Sequence, residues 1–327
     1  MSDFIVSARK YRPETFKSVV GQQSITGTLK NAIKNNHLGH AYLFCGPRGV
    51  GKTTCARIFA KTINCANPKE ETEPCNECES CKAFNESRSY NIHELDAASN
   101  NSVDDIRLLT EKVRIPPQVG KYSVYIIDEV HMLSQSAFNA FLKTLEEPPS
   151  HAVFILATTE KHKIIPTILS RCQIFDFNRI KVEDAVNYLD FIATQENIEY
   201  EEEALHIVAQ KADGAMRDAL SIFDQIVSFS GKKISYQDVI DNLNILDYEY
   251  YFRATDFFLE GNVSDSLLLF DEIIDAGFDG HNFINGLASH LRDILVSSDP
   301  STIKLLEVSD SVKERYLGQS KKCNPGF

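Results

Sequence analysis

The sequence predicts an α/β fold. A parallel sheet flanked by helices is expected over residues 1–178, a small helical domain over 179–243, and a further helical domain over 244–327. Three observations carry this reading. Between residues 41 and 177 short apolar runs alternate with stretches of helical period, as in a parallel sheet covered on both faces. One run, Ala41–Cys45, leads into Gly46-Pro47-Arg48-Gly49-Val50-Gly51-Lys52-Thr53-Thr54 and then a helix. Past residue 178 the apolar runs stop and helical periods remain.

The elements follow in order. A buried strand is expected at 41–45 and a helix at 52–64. Ile92–Asp96 reads as a strand. Ser102-Val103-Asp104-Asp105 is a capping box that opens a helix to about Val113, and Pro116-Pro117 prevents its continuation. Tyr122–Asp128 is an apolar strand ending in acid. An amphipathic helix is expected over 134–147, with Phe138, Phe141, Leu142 and Leu145 on one face and Pro148-Pro149 after it. Strands follow at 152–158 and 173–177, with a short helix from Pro166 between them. Residues 181–197, 201–212 and 215–230 read as three helices of an all-helical domain. From about residue 246 the chain is helical again, punctuated by Gly261-Asn262 and Gly277, and it closes on the polar stretch 319–327.

The pattern G-x-x-x-x-G-K-[ST] at Gly46–Thr53 is a phosphate-binding loop. Gly46, Gly49 and Gly51 let the backbone curl so that its N–H groups face an anion. Lys52 supplies charge for the β- and γ-phosphates, and Thr53 offers a hydroxyl to Mg²⁺. The helix that starts there adds its positive end. At the end of the 122–128 strand, Asp128 is placed to orient the metal shell and Glu129 to polarise an attacking water. Thr158 and Thr159 end the next strand, where one threonine can hold that water or report the γ-phosphate. The alternative for the threonines is a simple cap. Arg171 and Arg217 are each candidates for the nucleotide or for a surface ion pair. Arg217, at a helix start, is badly placed for the dipole and needs another partner.

Four of eight cysteines, Cys65, Cys75, Cys78 and Cys81, crowd one loop marked by Asn67, Pro68 and Pro74. This spacing points to a structural Cys₄ zinc site, with free thiols and a redox Cys-x-x-Cys pair as the alternatives. Cys45 and Cys55 read as small buried apolar residues. The net charge of −12 argues against tight unassisted binding to long duplex DNA. It is unevenly spread: residues 1–60 hold nine Lys/Arg against two Asp/Glu, and residues 181–280 six against twenty-two. No 18-residue apolar run or signal core occurs, so a soluble cytoplasmic location is the expectation.

Across residues 8–230 the chain resembles the AAA+ ATPases, and among them the gamma/tau clamp-loader family of bacterial DNA polymerase III. The resemblance rests on ARKYRPETFKSVVGQ (8–22), HAYLFCGPRGVGKTT (40–54), the four-cysteine module, DAAS (96–99), YIIDEVHMLSQSAFNAFLKTLEEPP (125–149), ILATTEKHKIIPTILSRC (155–172) and GAMRDALSIFDQ (214–225). It implies that Arg9, Tyr11, Arg12, Pro13 and Val20 fold over the adenine. It implies that Gly46, Gly49, Val50, Gly51, Lys52, Thr53 and Thr54 cradle the phosphates, with Thr53 and Asp128 toward magnesium. Thr158 matches sensor one. Arg171 matches a finger reaching a neighbouring subunit's site, and Arg217 matches sensor two on a helical lid. Cys65, Cys75, Cys78 and Cys81 match zinc ligands.

The implied cofactors are ATP, Mg²⁺ and Zn²⁺. The implied activity is an ATPase within the DNA-directed DNA polymerase (nucleotidyltransferase) holoenzyme, which opens the sliding clamp and loads it on primed DNA during replication. Implied partners are delta- and delta-prime-like loader subunits, the clamp, primer-template DNA and the polymerase core, in a hetero-oligomeric ring with several copies of this subunit. The implied place is the nucleoid-associated replisome, with no membrane. The family's helical collar runs past residue 327, so 244–327 is expected to be part of that oligomerisation domain. The alternative is a non-hydrolysing nucleotide-binding scaffold of the same assembly, which would be free to lose Lys52, Thr53, Glu129 and Arg171. A Holliday-junction helicase is disfavoured by the cysteine insert, and a small-substrate P-loop kinase by the lid and helical tail.

Overall fold

The computed structural model describes residues 5–323 apart from Glu71, Ser87, Val119 and Glu307, so the predicted tail beyond residue 323 lies outside the described residues. It forms two compact units. One runs to Asp184 and includes Gly214–Asp218; the other comprises Ala185–Asp213 and the chain from Ala219 onward.

The first unit holds strands β1 (Ala41–Cys45), β2 (Ile92–Asp96), β3 (Ser123–Asp128), β4 (Ala152–Thr158) and β5 (Gln173–Asp176). They pair in the order β2-β3-β4-β1-β5, every pair parallel. Its helices are α1 (Ser7–Lys10), α2 (Gln23–Lys34), α3 (Lys52–Ile63), α4 (Glu79–Asn85), α5 (Val103–Val113), α6 (Gln135–Glu146) and α7 (Pro166–Leu169). The central strands β1, β3 and β4 are apolar along most of their length because alternate residues feed two cores. Tyr42, Phe44, Val124, Ile126, Val153 and Ile155 pack on one face with Ile25, Leu29, Phe59 and Ile63 of α2 and α3. Leu43, Tyr125, Ile127, Phe154 and Leu156 pack on the other with Ile106, Leu109, Phe138, Phe141 and Leu145 of α5 and α6. The expected capping box is present: Ser102 Oγ accepts from Asp105 N at 3.2 Å, and Asp105 Oδ2 accepts from Ser102 N at 3.2 Å.

The second unit contains most of α8 (Val182–Glu196), α9 (Glu202–Lys211), most of α10 (Met216–Ser230), α11 (Tyr236–Leu243), α12 (Tyr248–Glu260), α13 (Val263–Asp275), α14 (Gly280–Ser297) and α15 (Asp310–Ser320). It is not purely helical as expected. Glu199–Tyr200 (β6) and Lys233–Ile234 (β7) form a parallel pair that buries Ile234. Two-residue strands leave no alternation to read in a sequence. The α15 helix, within the stretch expected to be helical from residue 246, is held by His290. The buried imidazole meets Tyr316 Oη at 2.9 Å and Gln319 Oε1 at 3.0 Å, and desolvation lowers its pKa to about 4.

Candidate functional site

The glycine loop leaves the C-terminal end of β1 and runs straight into α3. Gly46, Gly49 and Gly51 have φ of 147°, 77° and 103°. A side chain at Gly46 would stand 2.4 Å from the Phe177 carbonyl oxygen, and one at Gly49 would stand 2.9 Å from Ala215 Cβ. Both positions therefore require glycine. Val50 is buried in the core, so only its backbone is available to a ligand. Lys52 is 5% exposed and donates to the carbonyls of Gly46 (2.8 Å) and Pro47 (2.7 Å). Desolvation lowers its pKa, opposed by the carboxylates of Glu129 and Asp128.

The strand order brings the second half of the site to this loop. With β4 between β1 and β3, the ends of all three strands share one edge, where crevice ligands sit in open parallel sheets. Thr53 Oγ1 donates to Asp128 Oδ2 at 2.7 Å. Glu129 occupies the left-handed region at φ 47°, a conformation that costs a non-glycine residue about 1 kcal/mol or more. Its Oε2 accepts from Thr159 Oγ1 at 2.9 Å and from Thr159 N at 3.3 Å. The expected residue, Thr158, is fully buried. Its hydroxyl meets His131 Nδ1 at 3.0 Å and accepts from Glu160 N at 3.0 Å. Thr159 is therefore the threonine that touches the acid, and His131 is a neighbour the sequence did not mark. A residue ending a strand points away from the next one, so a shift of one position reverses which side chain faces the crevice.

The N-terminal segment reaches the same corner through Arg12, whose Nε donates to Thr54 Oγ1 at 3.3 Å. Partial burial, then the charge of Arg57, lowers the Arg12 guanidinium's pKa. Arg217 acts in the same direction, while Glu94 and Asp128 oppose it. Arg9 is exposed on α1, and Tyr11, Pro13 and Val20 are half-buried. Gln22 was not anticipated. It is buried and donates through Nε2 to the carbonyls of Val50 (3.4 Å) and Asn178 (2.8 Å), tying the phosphate loop to the chain after β5. Arg217 is the second residue of α10, and its N–H donates to Gly49 O at 3.4 Å. Arg171 binds Glu146 Oε1 (2.6 Å), Thr167 O (2.7 Å) and Ser170 Oγ (3.2 Å), none of which lines the cradle.

The cysteine cluster lies past the far end of α3. Sγ atoms of Cys65, Cys75, Cys78 and Cys81 all lie within 4.8 Å of one another, with Cys65–Cys78 and Cys75–Cys81 at 4.0 Å. A tetrahedral ion with metal–sulfur bonds of about 2.3 Å needs edges of about 3.8 Å, so the donor set fits. The loop ends earlier than expected: Cys78 caps α4 and Cys81 sits within it. Desolvation pushes the Cys75 thiol up, but N–H groups of Glu77 (3.4 Å) and Cys78 (3.2 Å) outweigh it and bring the thiol down to about 6. Lys61, 3% exposed, donates to Asn76 Oδ1 (2.6 Å) and Asn85 Oδ1 (3.1 Å) beside the cluster. Cys45 and Cys55 are buried outside it, their thiols pushed up by desolvation to about 11 and about 12.

Comparison with known proteins agrees with this arrangement. Residues 21–181 match the family model "DNA polymerase III, delta subunit", and residues 184–232 match "DNA polymerase III clamp loader subunit, ATPase lid domain". The structure resembles Thermotoga maritima RuvB, a Holliday junction branch migration motor, with TM-score 0.53 and 20% identity over 76% of this chain and 80% of that one. That likeness, at 20% identity, shows the fold alone. The chain is 48% identical over 88% of its length to DNA polymerase III subunit tau of Bacillus subtilis, of which it spans 51%. It thus covers about half the length of this longer relative. It is 38% identical to the DNA polymerase III subunit gamma of Buchnera aphidicola from Schizaphis graminum, spanning 80% of that protein, and 37% identical to that of Buchnera aphidicola from Baizongia pistaciae, spanning 85%. With the phosphate loop, the acid pair and the four cysteines set as described, the chain belongs to the gamma/tau family of bacterial DNA polymerase III subunits.

Proposed function

We propose that this chain is an ATP-hydrolysing motor subunit of a clamp loader, which opens a sliding clamp and places it on primed DNA. The observation that carries this reading is the convergence at one sheet edge of Lys52, Thr53, Asp128, Glu129 and Thr159. In this reading Lys52 and the loop N–H groups bind the β- and γ-phosphates. Thr53 and Asp128 face the magnesium ion, which when bound neutralises developing phosphate charge. Glu129 acts as the base for water, and Thr159 takes the sensor-one role that the family resemblance implies for Thr158. Arg12 joins Arg9, Tyr11, Pro13 and Val20 in covering the nucleotide, and Arg217 links it to the lid.

Arg171 serves a neighbouring subunit. Its exposure, and partners outside its own cradle, support a finger that acts in trans. Cys65, Cys75, Cys78 and Cys81 hold a structural zinc ion. The match of residues 184–232 to a clamp-loader lid supports a lid at 179–243, between a motor domain at 1–178 and part of a collar at 244–327. Partners in this reading are delta- and delta-prime-like subunits, the clamp, primer-template DNA and the polymerase core, in a cytoplasmic ring. Among the described residues no helix is long and apolar enough to cross a membrane.

Steady-state ATPase assays test the motor reading. Low turnover by the chain alone and strong stimulation by partner subunits, clamp and primed DNA are expected. ATP binding without turnover in the full mixture would favour the scaffold. In that mixture Arg171→Ala should leave ATP binding intact and cut turnover by about 10³-fold; full turnover would remove the finger assignment.

A further inference from the structure

We propose that the four-cysteine module anchors the nucleotide-facing N-terminal segment through Glu73, so that metal occupancy sets nucleotide affinity. This rests on the proposed reading of residues 9–20 as covering the nucleotide and of the cysteines as metal ligands.

Glu73 lies in the loop between Cys65 and Cys75, where the exposed stretch 66–70 gives way to buried residues at 72–75, and it is itself 6% exposed. Burying a carboxylate is costly unless it is paired and hydrogen-bonded. Both its oxygens face groups outside the module, Oε2 through a hydrogen bond and Oε1 through an ion pair alone. Oε2 accepts from the backbone N–H of Phe16 at 2.7 Å, and Oε1 lies 2.6 Å from Lys30 Nζ on α2. Phe16 is itself 2% exposed, in the core beneath the sheet. Four residues earlier, Arg12 reaches Thr54 beside the phosphate loop. The N-terminal segment is thus pinned at one point to the head of α3 and at another to the cysteine loop.

The position of Glu73 depends on closure of that loop. Its N–H and C=O exchange hydrogen bonds of 2.8 Å each with the C=O and N–H of Lys69. Two residues on, Cys75 N donates to Cys65 Sγ at 3.4 Å. The loop is polar and brings little apolar surface of its own, so a metal ion joining Cys65 to Cys75, Cys78 and Cys81 is what would fix it. Glu73 is no part of the sulfur cluster, so its burial is left to explain by Phe16 and Lys30.

The test titrates the full chain with a fluorescent ATP analogue, with zinc bound and after removal by a chelator, and measures metal content in parallel. Glu73→Ala should keep its zinc and bind the analogue about tenfold more weakly, the scale of one charge-assisted hydrogen bond. Glu73→Gln, which keeps an acceptor for Phe16 N–H, should lose less. Stripping zinc should weaken the wild type to the level of Glu73→Ala and add little to that variant. Lys30→Met, outside the module, should shift affinity in the same direction and keeps the test valid if Glu73→Ala does not fold. A zinc-loaded Glu73→Ala with wild-type affinity would overturn the anchor and leave the site reading standing. So would equal weakening of wild type and variant on stripping. A wild type that binds no analogue at all would overturn both.

Discussion

The two ends of α3 do opposite jobs by opposite means. At its N-terminus the helix meets Gly51, and the ligand-facing groups are backbone N–H donors plus Lys52 and Thr53. Helix polarity favours an anion there. Past its C-terminus, where the dipole is negative, stand four sulfurs. That end is electrostatically wrong for thiolates, and the chain compensates with a buried cation in the last turn, Lys61, and with a donor set that suits a divalent ion. The first end works by backbone conformation and needs glycine. The second works by side-chain chemistry and needs cysteine. Substitutions at the two ends should therefore separate nucleotide chemistry from metal retention.

The largest separation is expected at Lys52. Lys52→Ala removes the ammonium that donates to the Gly46 and Pro47 carbonyls, and ATP affinity should fall by about 100-fold or more, the scale of losing a buried charge partner. Zinc content should stay at the wild-type level. An unchanged titration would sink the phosphate assignment, and loss of zinc would show that Lys52 itself helps to hold the cysteine module.

Thr159→Val should come next. It deletes the hydroxyl that holds Glu129 Oε2 and keeps the side chain's shape. Turnover at saturating ATP in the assembled loader should drop by about 10- to 100-fold, within the range of acid–base positioning, with ATP affinity nearly unchanged. Thr158→Val tests the other choice. Removing that buried hydroxyl orphans Glu160 N and costs His131 one of its partners, so it should lower thermal stability by several degrees. If Thr158→Val alone abolished turnover in a stable protein, sensor one would belong to Thr158.

These two threonines mark where the sequence stops being legible. The three central strands were readable from apolar runs, because a strand buried on both faces is apolar throughout, and the edge strands β2 and β5 from shorter mixed segments. The same uniformity hides which of two terminal threonines faces the crevice. The phosphate loop and the cysteines were readable because fixed spacing is itself the chemistry. Gln22, Glu73 and His131 were not. Each is a polar residue whose partner lies far along the chain: Gln22 binds Asn178, and Glu73 binds Phe16. Only the folded sheet brings such pairs together. The β6–β7 pair escaped for want of length.

At the cysteine end, Cys78→Ser should lower metal content well below one ion per chain, since a hydroxyl is a poor substitute for a thiolate toward zinc. Melting should shift down by about 4–8 °C for each kcal/mol lost in a domain of 60–100 residues, and by less in a larger unit. Turnover at saturating ATP should change by less than about twofold, because no catalytic group is touched. A collapse of the chemical step with nucleotide still saturating would show that the two ends are one functional unit.

The smallest expected effect sharpens the comparison most. Lys61→Met keeps length and apolar volume but removes the cation beside the cluster, leaving Asn76 and Asn85 without that donor. Groups just outside a metal's ligand set typically change affinity by about 10- to 100-fold, and a half-screened dipole effect sits at the low end. We expect zinc to be released about tenfold more readily in a chelator competition. Under saturating zinc, ATP affinity should remain wild-type, because Lys61 touches neither the phosphate loop nor Glu73. Should the variant hold zinc as tightly as the wild type, the helix end would need no compensating charge, and Lys61 would be a structural hydrogen-bond donor to two asparagines.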